Sequence, residues 1–205
     1  MTTEVPGTAG YGANASALVA QYESITFSEV HRDLLHLLPM SPAVVLDIGA
    51  GSGRDAAAMA RLGHQVVAVE PTDELRNEGQ RLHGALPIDW VDDHLPTLNL
   101  LRQAKRPFDL VLLSAVWMHL DLSEREAAME AVAELVVNGG QVFMSLRHGP
   151  IPEGRRMFHV SADETIDLAA HHGLRCHHHS VREDMLGRAE VKWCFLALHR
   201  PSDGL

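Results

Sequence analysis

Cysteine is nearly absent: Cys176 and Cys194 are the only two in 205 residues. Two thiols build no disulfide framework, and a reducing cytoplasm is the simplest setting. Long apolar runs are missing as well. No stretch approaches the ~20 residues of a membrane span. Met1 to Gly12 has neither the basic region nor the apolar core of a signal peptide. Positive charge is scarce: 17 Lys and Arg against 27 Asp and Glu leave a net −10 with histidines neutral. Nucleic-acid binding depends heavily on cationic phosphate contacts, and no basic stripe is present. The strongest cationic patch, Arg147-His148 with Arg155-Arg156, suits a small anion as well. The expected partner is therefore a small molecule, with no nucleic acid and no membrane, and the oligomeric state stays open. Histidines number 14, but no zinc-motif spacing of Cys or carboxylates accompanies His171-His172 or His177-His178-His179. On a strand His177 and His179 share one face and His178 takes the other, and no metal site is expected.

What the chain does have is a glycine-rich turn in a telling position. The run Val44-Val45-Leu46 ends at Asp47, and Gly49, Gly51 and Gly53 follow at alternate positions. Glycine lets backbone turn tightly and approach a ligand that a Cβ would exclude. An apolar helical segment from Asp55 to Leu62 follows, with Gly63 as its stop. Strand, glycine turn and helix compose a nucleotide-type cofactor site in an open α/β sheet. The dinucleotide fingerprint is G-x-G-x-x-G. Here Arg54 stands where its third glycine belongs, and Asp47 would repel a phosphate. An acidic group there suits a cationic ligand, an ammonium or a sulfonium.

Three further elements follow in order. Gln65 to Val69 is a short buried strand ending at Glu70, which lies 17 residues beyond Gly53. That is near the ~20 expected for a carboxylate on ribose hydroxyls, and a carboxylate can accept both bonds of a vicinal diol. Ile88 to Val91 runs into Asp92-Asp93, and Phe108 to Leu113 runs into Ser114.

Together, residues 44 to 120 resemble the ordered motifs of class I S-adenosylmethionine (SAM) dependent methyltransferases, beginning with D-x-G-x-G-x-G. The resemblance implies SAM as cofactor and S-adenosylhomocysteine as product. It implies an α/β, Rossmann-like three-layer sandwich with a seven-stranded, mostly parallel sheet in the order 3-2-1-4-5-7-6, the last strand antiparallel. Asp47 with the loop Gly49, Ala50, Gly51 and Gly53 would hold the methionine part. Arg54 would face its carboxylate, Glu70 would bind the ribose, and Asp92 or Asp93 the adenine amino group. Ser114 would end the fourth strand beside the cofactor. No Asn-Pro-Pro-Tyr type motif follows that strand, as it does in base and glutamine amino-methyltransferases; the segment is Ser114-Ala115-Val116-Trp117. Neither cysteine has the Pro-Cys or Thr-Cys context of pyrimidine C5 enzymes. Both absences favour a small-molecule acceptor.

The whole chain, 1–205, is expected to be one domain, with residues 1–40 as a helical N-terminal cap or lid. Residues 1 to about 13 look flexible. Helices are predicted from Asn14 to Tyr22, from a Ser28 cap to Leu38, and from Asp73 to Gly84. Two more should follow the boxes Ser123-x-x-Glu126 and Ser161-x-x-Glu164. Asn138-Gly139-Gly140 should break the first of these, with Gln141 to Leu146 as the fifth strand. Leu174 to Val181 and Glu190 to His199 should form a closing hairpin.

Methyl transfer from a sulfonium is an in-line displacement that positioning and desolvation can largely accelerate. His119, just past the fourth strand, is the candidate base. Arg147 and His148 end the fifth strand, and Arg147 could hold a planar anion bidentately. Tyr11 and Tyr22, the only tyrosines, belong to the lid, and Trp117 could wall a ligand. The expected reaction is transfer of a methyl group to O, N or S of a small metabolite, an anionic one among the candidates. Two alternatives stand beside it: a SAM-binding sensor or partner subunit without catalysis, and a nicotinamide oxidoreductase.

Overall fold

Alternation of buried and lining residues builds one sheet with a core on each face. The structure, a computed structural model, describes residues 5–202. Its strands are β1 (Val44–Ile48), β2 (Gln65–Val69), β3 (Ile88–Val91), β4 (Phe108–Ser114), β5 (Val136–His148), β6 (Arg175–Glu183) and β7 (Lys192–His199). They form a seven-stranded sheet in the order β3-β2-β1-β4-β5-β7-β6. Pairings from β3 to β5 are parallel, and β7 is antiparallel to both β5 and β6. The expected topology is present.

The helices are α1 (Ala15–Glu23), α2 (Phe27–Val30), α3 (Arg54–Arg61), α4 (Asp73–His83), α5 (Asn99–Ala104), α6 (Leu122–Leu135) and α7 (Ala162–His171). Successive side chains of a strand face opposite ways, and β1 shows the consequence. Leu46 and Ile48 join a core with Leu101, Met129, Val132 and Ala169 from α5, α6 and α7. Val45 joins a second core with Phe27, Leu34, Ala56 and Met59, on the side of α2 and α3. Asp47, on that second side, is thereby aimed at the first turn of α3.

The N-terminal region departs from expectation. Of the segment expected to be flexible, residues 1–4 lie outside the described ones. The remainder takes two 3-10 turns, Pro6–Thr8 and Gly12–Asn14, before α1. The single helix from Ser28 to Leu38 is not formed. Thr26 is the N-cap of α2 instead, its hydroxyl accepting from Glu29 N–H while the Glu29 carboxylate accepts from Thr26 N–H at 2.8 Å. The helix ends after Val30, and a 3-10 turn at Leu35–Leu37 follows. His31 is drawn inward at the break, to a buried carboxylate 2.8 Å away.

Two C-terminal details also differ. The capping box of α6 is Asp121 with Glu124, two residues before the expected pair. No break occurs at Asn138-Gly139-Gly140; β5 begins at Val136, with a register irregularity against β4 between Phe108 and Leu110. Ser161 does cap α7, accepting from Glu164 N–H at 3.1 Å. In β6, His177 and His179 are exposed while His178 is half-buried.

Candidate active site

The carboxyl ends of β1 to β4, the edge where open α/β sheets bind ligands, border one cavity of about 470 Å³. Small-molecule sites commonly span ~300–1,000 Å³. One wall is the turn from β1 to α3, through Gly49, Ala50 and Gly51. Gly49, Gly51 and Gly53 have φ of 68°, 57° and 83°, and Gly53, outside the lining, faces Trp90 instead of the cavity. Gly49 admits no side chain: an added Cβ would lie 2.5 Å from Val116 Cγ2. Its N–H and that of Ala50 both donate to the Val69 carbonyl, at 2.8 and 2.9 Å, which ties the turn to the end of β2.

Two buried carboxylates stand behind this wall. Asp47 accepts from Ala56 N–H at 3.0 Å and so caps the first turn of α3. Burial holds its carboxyl well above the usual range, and the neighbouring Asp55 charge adds to the rise. Glu70 accepts from Gly51 N–H and from Thr72 N–H, both at 2.8 Å. Burial raises its pKa as well, against those two hydrogen bonds. Both carboxylates border the cavity. Each carries a desolvation cost that a bound cation or hydrogen-bond donor would offset.

Asp92 and Asp93 part company here. Asp93 is buried and borders the cavity. Its carboxylate accepts from Leu100 and Leu101 N–H at 2.9 and 3.1 Å, at the start of α5. Asp92 is exposed, lies 3.5 Å from Arg76, and is not part of the lining. Of the pair, only Asp93 is placed to meet a ligand.

Arg54 and Ser114 also border the cavity, but both are engaged. Arg54 Nε donates to Asp55 Oδ1 at 2.6 Å, and Ser114 Oγ donates to Asp55 Oδ2 at 2.6 Å. His31 Nε2 completes the network at 2.8 Å from Asp55 Oδ2. Asp55 is buried at the edge of the cavity, and the Arg54 and His31 side chains hold its pKa far below the usual range despite burial. Removing one partner of such a buried ion pair costs about 3–5 kcal/mol. Neither Asp55 nor His31 was singled out from sequence. Their signal was an acidic residue on the apolar side of α3, among the buried Ala56, Met59 and Ala60.

The lining also carries groups that can handle a proton. Tyr11 Oη lies 2.9 Å from His119 Nε2, and His119 Nδ1 lies 2.8 Å from the Arg156 carbonyl. A carbonyl only accepts, so Nδ1 carries the proton and Nε2 of the neutral ring accepts from Tyr11. Burial lowers the His119 pKa, and the charges of Arg155, Arg156 and Arg147 lower it further. Burial raises both Tyr11 and Tyr22. These three side chains and Arg147 all border the cavity. The expectation for His148 is not met: it is half-buried and outside the lining, because it alternates with Arg147 along β5. Trp117 is wholly buried in the core and is likewise no part of the wall. Arg155 lines the cavity too, and so do Arg182 to Leu186 and Arg188 of the β6–β7 hairpin, a segment the sequence pattern marks only as the connection between two strands.

A family model described as a methyltransferase domain matches residues 45–140, the span from β1 into β5 that builds the glycine turn and both buried carboxylates. Over that span, just under half of its length, the chain is similar to the methyltransferase domain family. A ubiquinone biosynthesis O-methyltransferase of Xylella fastidiosa is 34% identical over 109 residues, 53% of this chain and 43% of that protein. The chain thus matches less than half the length of that curated relative. Among solved structures, a TehB-like SAM-dependent methyltransferase from Corynebacterium glutamicum superposes with a TM-score of 0.68 at 17% identity, covering 92% of this chain and 98% of the other. A Burkholderia thailandensis 1,6-didemethyltoxoflavin-N1-methyltransferase, with bound 1,6-didemethyltoxoflavin and S-adenosylhomocysteine, gives 0.64 at 18% identity, covering 98% and 93%. At these identities the structural likeness concerns the methyltransferase fold. Among the described residues, no helix is long and apolar enough to cross a membrane.

Proposed function

We propose that the cavity binds SAM and that the protein transfers its methyl group to a nucleophilic atom of a small molecule. The observation that carries this reading is the convergence of the glycine turn, Glu70 and Asp93 on one cavity at the carboxyl ends of three adjacent strands. The residues present suit the cofactor. Asp47 and the turn 49–53 would hold the methionine part, Glu70 the ribose hydroxyls and Asp93 the adenine amino group. Asp47 and Glu70, both raised by burial, favour a ligand that brings a cation and hydrogen-bond donors. Arg54, committed to Asp55 through Nε and donating from Nη1 to the Tyr22 carbonyl at 3.4 Å, keeps Nη2 for a carboxylate.

Bound SAM supplies an electrophilic methyl on a sulfonium. The chain's own contribution is enclosure and proton handling. Residues 5–30 form a cap over the cavity through Val5, Tyr11, Leu18, Tyr22 and Val30, in keeping with a single domain whose first 40 residues act as a lid. Neutral His119, with Nε2 as acceptor, is set to take a proton from an acceptor hydroxyl, directly or through Tyr11. An oxygen nucleophile makes most use of this pair, and the acceptor is a small molecule rather than a nucleic acid.

Calorimetric titration with SAM, S-adenosylhomocysteine and NAD tests the reading. Saturable binding of the two sulfur cofactors without NAD is expected. Binding of NAD alone would favour the nicotinamide oxidoreductase. SAM binding without turnover on a broad acceptor panel would favour a sensor or partner subunit.

A further inference from the structure

Among the described residues, Arg155 is the one guanidinium of the cavity wall for which no side-chain hydrogen bond or ion pair is found. Its Nη1 is buried and meets no partner atom. Its guanidinium lies over the Tyr11 ring, 3.8 Å from the centroid. The other cavity-lining arginines differ: Arg54 is paired with Asp55, Arg188 with Asp184, and Arg182 with Asp33. Arg147 is intermediate, donating to the Pro150 carbonyl at 2.8 Å but forming no ion pair. A buried guanidinium N–H without an acceptor carries a desolvation cost of the kind that buried polar groups normally avoid.

Nearby carboxylates do not answer this charge. Asp184 accepts two bonds from the Arg188 guanidinium and one from Trp193 Nε1, which fully engages it at the base of the β6–β7 loop. Glu183 pairs with Lys192 at 3.1 Å. Asp121 and Glu124 are held by Arg156, on the far side of His119. Of the acidic groups that remain at the cavity, Asp55 is held by Arg54 and His31, and Asp47, Glu70 and Asp93 belong to the cofactor wall. The carboxylates of the cavity are thus engaged or part of the cofactor wall, and Arg155, in the segment between β5 and α7, is left without a counter-ion among the described residues.

The placement of Arg155 adds a distance constraint. Its guanidinium rests on the ring of the same tyrosine whose hydroxyl is 2.9 Å from His119 Nε2. A group held by Arg155 therefore lies close to the proton acceptor.

We propose that the methyl acceptor is a small hydroxy acid whose carboxylate is bound by Arg155, with Arg147 as the second cation, and whose hydroxyl is presented to the Tyr11–His119 pair. This rests on the methyltransferase reading of the same cavity. In the reaction the acceptor oxygen forms the new bond to the methyl carbon as the carbon–sulfur bond breaks. The sulfonium takes the bonding pair and becomes a neutral thioether, and the hydroxyl proton passes to His119. Carboxylate and nucleophile must be only a few bonds apart. Arginine is suited to the task because its fork matches a carboxylate in two parallel hydrogen bonds.

The experiment uses the full chain saturated with S-adenosylhomocysteine. Aromatic and aliphatic hydroxy acids, among them salicylate, 3,4-dihydroxybenzoate and glycolate, are titrated calorimetrically against their neutral amides. At least one acid should bind tenfold or more tightly than its amide, and Arg155→Gln should erase that difference while leaving S-adenosylhomocysteine affinity unchanged. Equal binding of every acid and amide by the wild type would overturn the proposal, as would a preference that survives in R155Q. A loss of S-adenosylhomocysteine affinity in folded R155Q would place Arg155 on the cofactor and overturn it too. If R155Q does not fold, the wild-type comparison of acid with amide decides. Absence of S-adenosylhomocysteine binding by the wild type would instead sink the methyltransferase reading.

Discussion

Glu70 joins two jobs in one side chain. Its carboxylate fastens the glycine turn through Gly51 N–H and, in the proposed complex, would also meet the ribose. A carboxylate has room for about four hydrogen bonds, so the two backbone donors leave capacity for a diol. Glu70→Ala is expected to weaken SAM binding by about 1–3 kcal/mol through loss of charge-assisted hydrogen bonds. Unchanged affinity in a folded variant, measured by titration calorimetry, would remove Glu70 from the site. His119 makes a prediction in pH. Its folded pKa is lowered, so the neutral base persists as pH falls below the ordinary ~6.5. The same shift means that its contribution to stability is present above ~6.5 and is lost as pH falls through the lowered value. The kcat/KM profile should therefore stay level through pH 6.5 and bend down only below it. In His119→Asn that acid limb should vanish and kcat should drop by about 10²-fold or more. A limb that persists in the variant would assign it to another group.

At the scale of elements, the turn from β1 to α3 combines conformation and crowding. Gly49→Ala places a Cβ residue at a φ of 68°, worth about 1–2 kcal/mol, and 2.5 Å from Val116 Cγ2. Urea denaturation should show at least that loss. Val116→Ala in the same chain should restore the part due to the clash and leave the backbone part; no recovery would mean that crowding is not the cause. This turn was legible in the sequence because glycine there answers a local requirement. So were β1, β2, α3 and α4, whose patterns are short-range. The start of α6 was not. Two overlapping boxes, Asp121…Glu124 and Ser123…Glu126, satisfy the same local rule. What favours the first is Arg156, which contacts Asp121 and Glu124 at 3.2 and 2.8 Å from more than thirty positions away. Asp121→Ala should therefore lower the urea midpoint more than Ser123→Ala does, and the reverse order would reject Asp121 as the functional cap. Asp55 and His31 were hidden for a similar reason. Each is unremarkable in its own neighbourhood, and only the packing of α2 against α3 makes them partners.

The whole molecule closes its cavity with chain from both ends: Val5 to Val30 on one side and Pro152 to Arg188 on the other, over the sheet's carboxyl edge. Only the middle, residues 45–140, matches the methyltransferase family model, so the two flanks are where acceptor choice and enclosure would reside. In such an arrangement a cofactor stabilises more than the residues it touches, because it fills the space between sheet and cap. A ligand that binds only the folded state at a hundred times its Kd adds about 2.7 kcal/mol of stability. For a domain of this size each kcal/mol is worth about 2–4 °C. Saturating S-adenosylhomocysteine should thus raise Tm by about 5–10 °C, and NAD at the same concentration should leave it unchanged. The location of the gain distinguishes a lid from a passive N-terminal segment. If residues 5–30 close over the cofactor, their amides should slow in hydrogen exchange on S-adenosylhomocysteine binding, together with those of the turn 49–53. Protection confined to the turn would leave the cap outside the cofactor's reach, and the enclosure that the proposed methyl transfer needs would have to come from the C-terminal flank alone.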